Sequence, residues 1–99
     1  MKKRDVFIAK DAAGIAEALG LSPADAIEIE MRSELNQQII AIVKKAGLTH
    51  AEVATLAGTS RTRMTAIMNR NTIGVSTDLL LRVVAALGYK ARIKIVPAA

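Results

Sequence analysis

The 99-residue sequence has no cysteine and no tryptophan. Without thiols there is no disulfide framework, no thiolate nucleophile and no cysteine-based zinc site. A lone histidine, His50, cannot form a metal cluster with itself. Aromatic residues are 2% of the chain, Phe7 and Tyr89 alone. That argues against a single-strand reader that stacks bases on rings. Long apolar runs are missing as well. The stretch Val6–Ala9, which follows a basic start, is cut by Lys10 and Asp11, so no signal-peptide core forms. No stretch reaches transmembrane length. These absences predict a soluble cytoplasmic protein without a membrane partner.

Catalytic patterns are lacking too. No glycine-rich phosphate loop, metal-ligand spacing or nucleophile–base pair is visible. The expectation is a non-enzyme with no cofactor and no metal. Acid is scarce in one half only. Residues 1–52 hold seven Lys/Arg against eight Asp/Glu, whereas residues 53–99 hold seven Lys/Arg against Asp78 alone. The halves carry −1 and +6 of the net +5. A neutral half joined to a strongly basic one suggests one surface that faces a polyanion.

What is present is aliphatic. Hydrophobic residues make up 52% of the chain, so Ala, Leu, Ile, Val and Met must build the core. A chain of this length buries roughly two-thirds of its unfolded surface and folds without staples. Asp5–Ala9 reads as an extended arm or short strand. Asp11 could cap a helix through Leu19, with Gly20 as its stop. Ser22 and Pro23 open a long helix. Its apolar row is Ile27, Met31, Leu35, Ile39 and Ile42, with Lys44 and Lys45 in its last turn and Gly47 beyond. Thr49 and Glu52 form a capping-box pair before Val53, Leu56 and Ala57, and Gly58 stops that helix. Ser60 caps the next, through about Asn69. Ser76 caps another that ends at Gly88. In Tyr89–Val96 the period changes: Tyr89, Ala91, Ile93 and Ile95 alternate with Lys90, Arg92 and Lys94, the pattern of a strand with one basic face. A lone strand needs a partner: the Val6–Ala9 arm, the same strand in a second copy, or another protein. The expected segments are an arm and short helix at 1–21, a DNA-binding domain at 22–88, and a strand with its tail at 89–99.

The informative unit is Leu48–Arg70. Two short capped helices are separated by Gly58, Thr59 and Ser60, the spacing of a tight helix–turn–helix. Small Ala54 lets the second helix pack close to the first. Within "TSRTRMTAIMNR", Thr59–Arg70, there are three arginines, four hydroxyls and no acid. At 100° per residue Met64, Ile67 and Met68 form the buried face, and Thr62, Ala66 and Asn69 point most nearly opposite. Thr65 flanks one side of that open face, Arg63 and Arg70 the other. Arg61, in the first turn, can reach past the helix end.

The stretch "LTHAEVATLAGTSRTRMTAIMNR" resembles the helix–turn–helix of Cro- and repressor-type (XRE-like) regulators. Thr49, Glu52, Val53, Ala54, Gly58, Ser60, Met64, Thr65 and Ile67 carry the pattern. "STDLLLRVVAALGYKARIKI" and the upstream "ALGLSPADA" are similar to a compact branch rich in HigA-like antitoxins. The resemblance covers roughly residues 17–96. His50 stands where that family usually has Gln, and Arg70 where Gly is common after Asn. It implies a mainly all-α fold: five helices in a lambda-repressor-like domain with a short C-terminal β-strand.

Site residues follow from chemistry and resemblance together. The resemblance puts base contacts at Arg61, Thr62 and Ala66. Arg61 could read guanine O6 and N7; Thr62 and Ala66 could touch a thymine methyl. Thr49, Ser60, Thr65 and Asn69 are candidate phosphate or backbone donors, with His50 beside them. Arg63 and Arg70 are the phosphate-facing flanks. Simpler readings stand beside these: Ser60 as an N-cap, His50 as a surface residue, and Lys90, Arg92 and Lys94 as a solvated strand face. The expected function is sequence-specific binding of double-stranded DNA by a homodimeric repressor, with the helix at about 60–69 in the major groove. The alternative is an antitoxin that neutralises a small RNase-like toxin, its protein partner, and autoregulates its operon.

Overall fold

The computed structural model describes residues 19–20 and 22–98. The Asp5–Ala9 arm and most of the Asp11–Leu19 helix lie outside them. Four helices occur among the described residues: α1, Pro23–Ala46; α2, His50–Ala57; α3, Arg61–Met68; and α4, Thr77–Ala86. The chain divides into two compact units, Met1–Leu35 and Asn36–Ala99.

Each of the four helices starts on a hydroxyl. Ser22 Oγ accepts the amide of Asp25, Thr49 Oγ1 that of Glu52, Ser60 Oγ that of Arg63 and Ser76 Oγ that of Leu79, all at 3.0–3.1 Å. Each such cap is worth about 1 kcal/mol. Two boxes are reciprocal: the Asp25 carboxylate accepts the Ser22 amide, and Glu52 Oε1 accepts the Thr49 amide at 2.8 Å. Each helix also ends alike, with an amide beyond its end reaching back five residues. Leu48 donates to Val43 O, Thr59 to Ala54 O, Asn71 to Ala66 O and Tyr89 to Val84 O. This closure requires a left-handed residue just past the helix. Gly47, Gly58 and Gly88 fill that position after α1, α2 and α4. Arg70, at φ 60°, fills it after α3.

In the first unit α1 starts as expected, at Ser22 and Pro23. Ile27, however, is 61% exposed. A row at steps of four drifts about 40° around the helix per step, so it does not stay on one face. In the second unit the buried positions of α1 are Asn36, Ile39, Ile40 and Val43, which share one face of the helix at spacings of three and four. Ile42 is only half-buried.

The core of the second unit is aliphatic. Ile39, Val43, Val53, Met64, Ile67, Leu80 and Val83 are its largest fully buried side chains. The helix α2 packs against both α3 and α4. Buried Ala54 fills the expected place of a small residue in α2. Leu56, expected on the inward face, is instead exposed, and Met68 is half-buried where full burial was expected. In α4 the buried set is Leu79, Leu80, Val83 and Val84.

The expected C-terminal strand is not present. Residues 89–98 carry no regular secondary structure and are exposed throughout. Alternation licenses a strand only where a neighbour accepts its backbone bonds. Among the described residues no strand is available to pair with it.

Candidate nucleic-acid interface

The helix α3 shows two chemically different faces. Met64 and Ile67 are fully buried and hold it down. Arg61, Thr62 and Arg63 in its first turn are exposed, and Asn69 and Arg70 are exposed past its end. Thr65 and Ala66, in its body, are half-buried. Exposed Ser60 and Thr49 are N-caps, and His50 is half-buried at the first position of α2. The ten candidate residues therefore fall on α3, its two ends and the start of α2. A cap hydroxyl that accepts an amide keeps its own proton, so Ser60 can still donate to an anion.

The electrostatics are one-sided. Thr59–Arg70 contains three arginines and no acid. The one carboxylate of α2 is turned back on its own N-terminus, where the Thr49 amide and then the Thr49 hydroxyl hold Glu52 below the ordinary carboxylate range. Arg61 has two carbons more reach than any neutral donor on this face, and it stands at the helix start, where recognition helices meet base edges.

Polar contacts from three side chains hold α3 and the turn that precedes it. His50 Nδ1 lies 3.0 Å from Thr65 Oγ1 and joins the start of α2 to the middle of α3. Asn36, 6% exposed, donates from Nδ2 to Ile67 O at 2.8 Å. Arg82 of α4 donates from Nη2 to the carbonyls of Ala57 and Gly58, each at 3.1 Å. A cation on the last carbonyls of α2 also suits the negative end of the helix dipole.

Asn36 and Arg82 were not among the residues expected to matter. Asn36 is a polar residue within the 36–39–40–43 apolar row, and that is a readable signal. Arg82 is a cation within a nearly uncharged apolar helix, a weaker one. Neither signal names a partner, because the partners lie 31 and 24–25 residues away.

Among the described residues no group of three His, Cys, Asp or Glu could hold a metal ion, and no helix is long and apolar enough to cross a membrane. No curated protein and no solved structure is detectably similar to the chain. A family model described as a helix-turn-helix domain matches residues 16–96, a span that takes in all four described helices and the tight turn between α2 and α3. The chain thus belongs to this helix–turn–helix family, the class to which DNA-binding regulators belong.

Proposed function

We propose that the chain is a sequence-specific repressor of transcription that lays α3 in the major groove of double-stranded DNA. The observation that carries this is the acid-free open face of α3, with Arg61 in its first turn and Met64 and Ile67 locked beneath. Arg61 reads guanine through O6 and N7, while Thr62 and Ala66 lie against neighbouring bases. Arg63, Arg70, Ser60, Thr49, His50 and Asn69 hold phosphates, and the exposed amides at the start of α3 add to them. One short helix touches few base pairs. A homodimer joined through α4 and the tail supplies the second half-site, about one DNA turn away.

The test compares two arginines on a bound site selected from random duplex. Arg61→Ala relaxes base preference at one position, at a cost of about 1–3 kcal/mol there. Arg63→Ala weakens binding to all sequences and lowers the salt slope by about one. Equal losses on selected and random DNA for both variants would falsify the role given to Arg61.

One feature favours a second partner. Tyr89, Ile93, Ile95 and Val96 expose 54–88% of their surface within eight residues. A set of large apolar side chains left exposed so close together is what a protein partner covers. In this reading the chain is an antitoxin of the HigA-like branch that neutralises a small RNase-like toxin and represses its own operon. Co-expression with the product of an adjacent toxin-like gene decides it. Rescue of growth that fails on truncation after Gly88 supports the antitoxin role. No rescue by the full chain removes it.

A further inference from the structure

The contact between His50 and Thr65 does more than join two helices. Threonine alone is a poor discriminator, because its hydroxyl can donate to or accept from any base edge. Here that hydroxyl is held 3.0 Å from His50 Nδ1, so one of its hydrogen-bonding roles is taken. Which atom donates depends on the imidazole tautomer, and the tautomer depends on what the other ring nitrogen meets.

We propose that His50 makes Thr65 a pure hydrogen-bond acceptor toward DNA, so that Thr65 selects an amino-bearing base, adenine or cytosine. The inference rests on the DNA-binding reading above. A phosphate oxygen accepts and never donates. Bound to phosphate as a neutral imidazole, His50 carries its one ring proton on Nε2. The neutral ring then presents a lone pair at Nδ1, and Thr65 gives its only hydroxyl proton to it. Both remaining lone pairs of Thr65 Oγ1 are left for the groove. In the major groove only adenine N6 and cytosine N4 donate; guanine and thymine offer acceptors there. An acceptor-only threonine meets guanine or thymine with oxygen facing oxygen. One phosphate contact at the start of α2 thereby sets base preference in the middle of α3. His50 acts as a positioning residue, and Thr65 determines specificity.

The test is selection of bound sites from random duplex with the full chain and three variants. The position Thr65 faces is the one whose preference changes in Thr65→Val, which keeps the shape and loses the hydroxyl. At that position the unaltered chain should favour adenine or cytosine about fivefold over guanine and thymine, the size of one net hydrogen bond. His50→Leu frees the hydroxyl to rotate and should erase the preference while leaving the other positions intact. His50→Gln should keep it, since an amide can donate to phosphate and accept from Thr65 at once. A thermal melt by circular dichroism confirms that each variant is folded. If His50→Leu does not fold, loss in Thr65→Val with retention in His50→Gln still supports the proposal. Guanine or thymine at that position, no position altered by Thr65→Val, or preference unchanged in folded His50→Leu each overturn it. Failure of the unaltered chain to enrich any site overturns the DNA-binding reading itself, and this inference with it.

Discussion

Arg70 is the one non-glycine residue with positive φ among the described residues. Its backbone closes α3 in the same way that Gly47, Gly58 and Gly88 close the other helices. A side chain in the left-handed region costs about 1–2 kcal/mol. Strain of this kind persists where a function needs the side chain, and an arginine at the end of α3 gives the proposed DNA face one more cation. Arg70→Gly should therefore raise stability by about 1 kcal/mol, a rise in Tm of roughly 4–8 °C for a chain this size. The same change should weaken DNA binding and flatten its salt dependence. Arg70→Ala keeps the strained backbone, so it should weaken binding without the thermal gain. A variant Arg70→Gly that melts lower, or binds DNA as tightly, contradicts this account. In the sequence, arginine after asparagine was legible as a departure from the family pattern. That it sits in a strained backbone was not, because φ depends on where the helix ends.

At the scale of elements, the α2–turn–α3 unit is held by contacts from outside it. Arg82 binds the last carbonyls of α2 and the turn from α4, and Asn36 binds the end of α3 from α1. The Arg82 side chain lies in an exposed residue and its carbonyls can turn to water. Arg82→Met should thus cost about 1.5 kcal/mol by denaturant unfolding, the low end for a charged donor. It should reduce affinity for a selected site more than for random duplex, because a loosened turn misplaces α3. Equal reductions would assign Arg82 to charge alone.

The capping box of α2 adds a pH dependence. Glu52 is held below its ordinary value of 4.5 by the Thr49 amide and hydroxyl, so the folded state binds this proton less readily than the unfolded one. Its contribution is complete above pH 4.5 and is lost as pH falls through the lower folded value. The glutamine of Glu52→Gln has no such proton to take up. The stability gap between the two proteins should narrow on acidification below pH 4.5, as urea unfolding would read. A gap independent of pH removes the box as its source.

Caps and stops were legible in the sequence because they are local. Ser22, Thr49, Ser60 and Ser76 lie three residues from the amides they accept. The tight turn was legible for the same reason. The buried row of α1 and the state of residues 89–98 were not. Both depend on which neighbours surround them, and alternation alone carries no information about a neighbour. The ten candidate site residues could be named because all sit on or beside one helix–turn–helix. The contact of His50 with Thr65 spans 15 residues and appears only when α2 and α3 are packed.

At the scale of the molecule, net charge sits almost wholly in the half that contains α3 and α4. Binding of that half to duplex should release counterions and weaken steeply with salt. Charge gives attraction to any duplex; the reading of sequence must come from base edges. The central claim is that Arg61 meets a guanine in the major groove. It is tested most directly by replacing the guanines of a selected site, one at a time, with 7-deazaguanine, which lacks N7 and still pairs normally. One such replacement should reduce the affinity of the unaltered chain about tenfold or more, in line with one lost hydrogen bond to a charged donor. The same replacement should leave Arg61→Ala unchanged. No sensitive guanine, or the same loss in both proteins, would contradict the account.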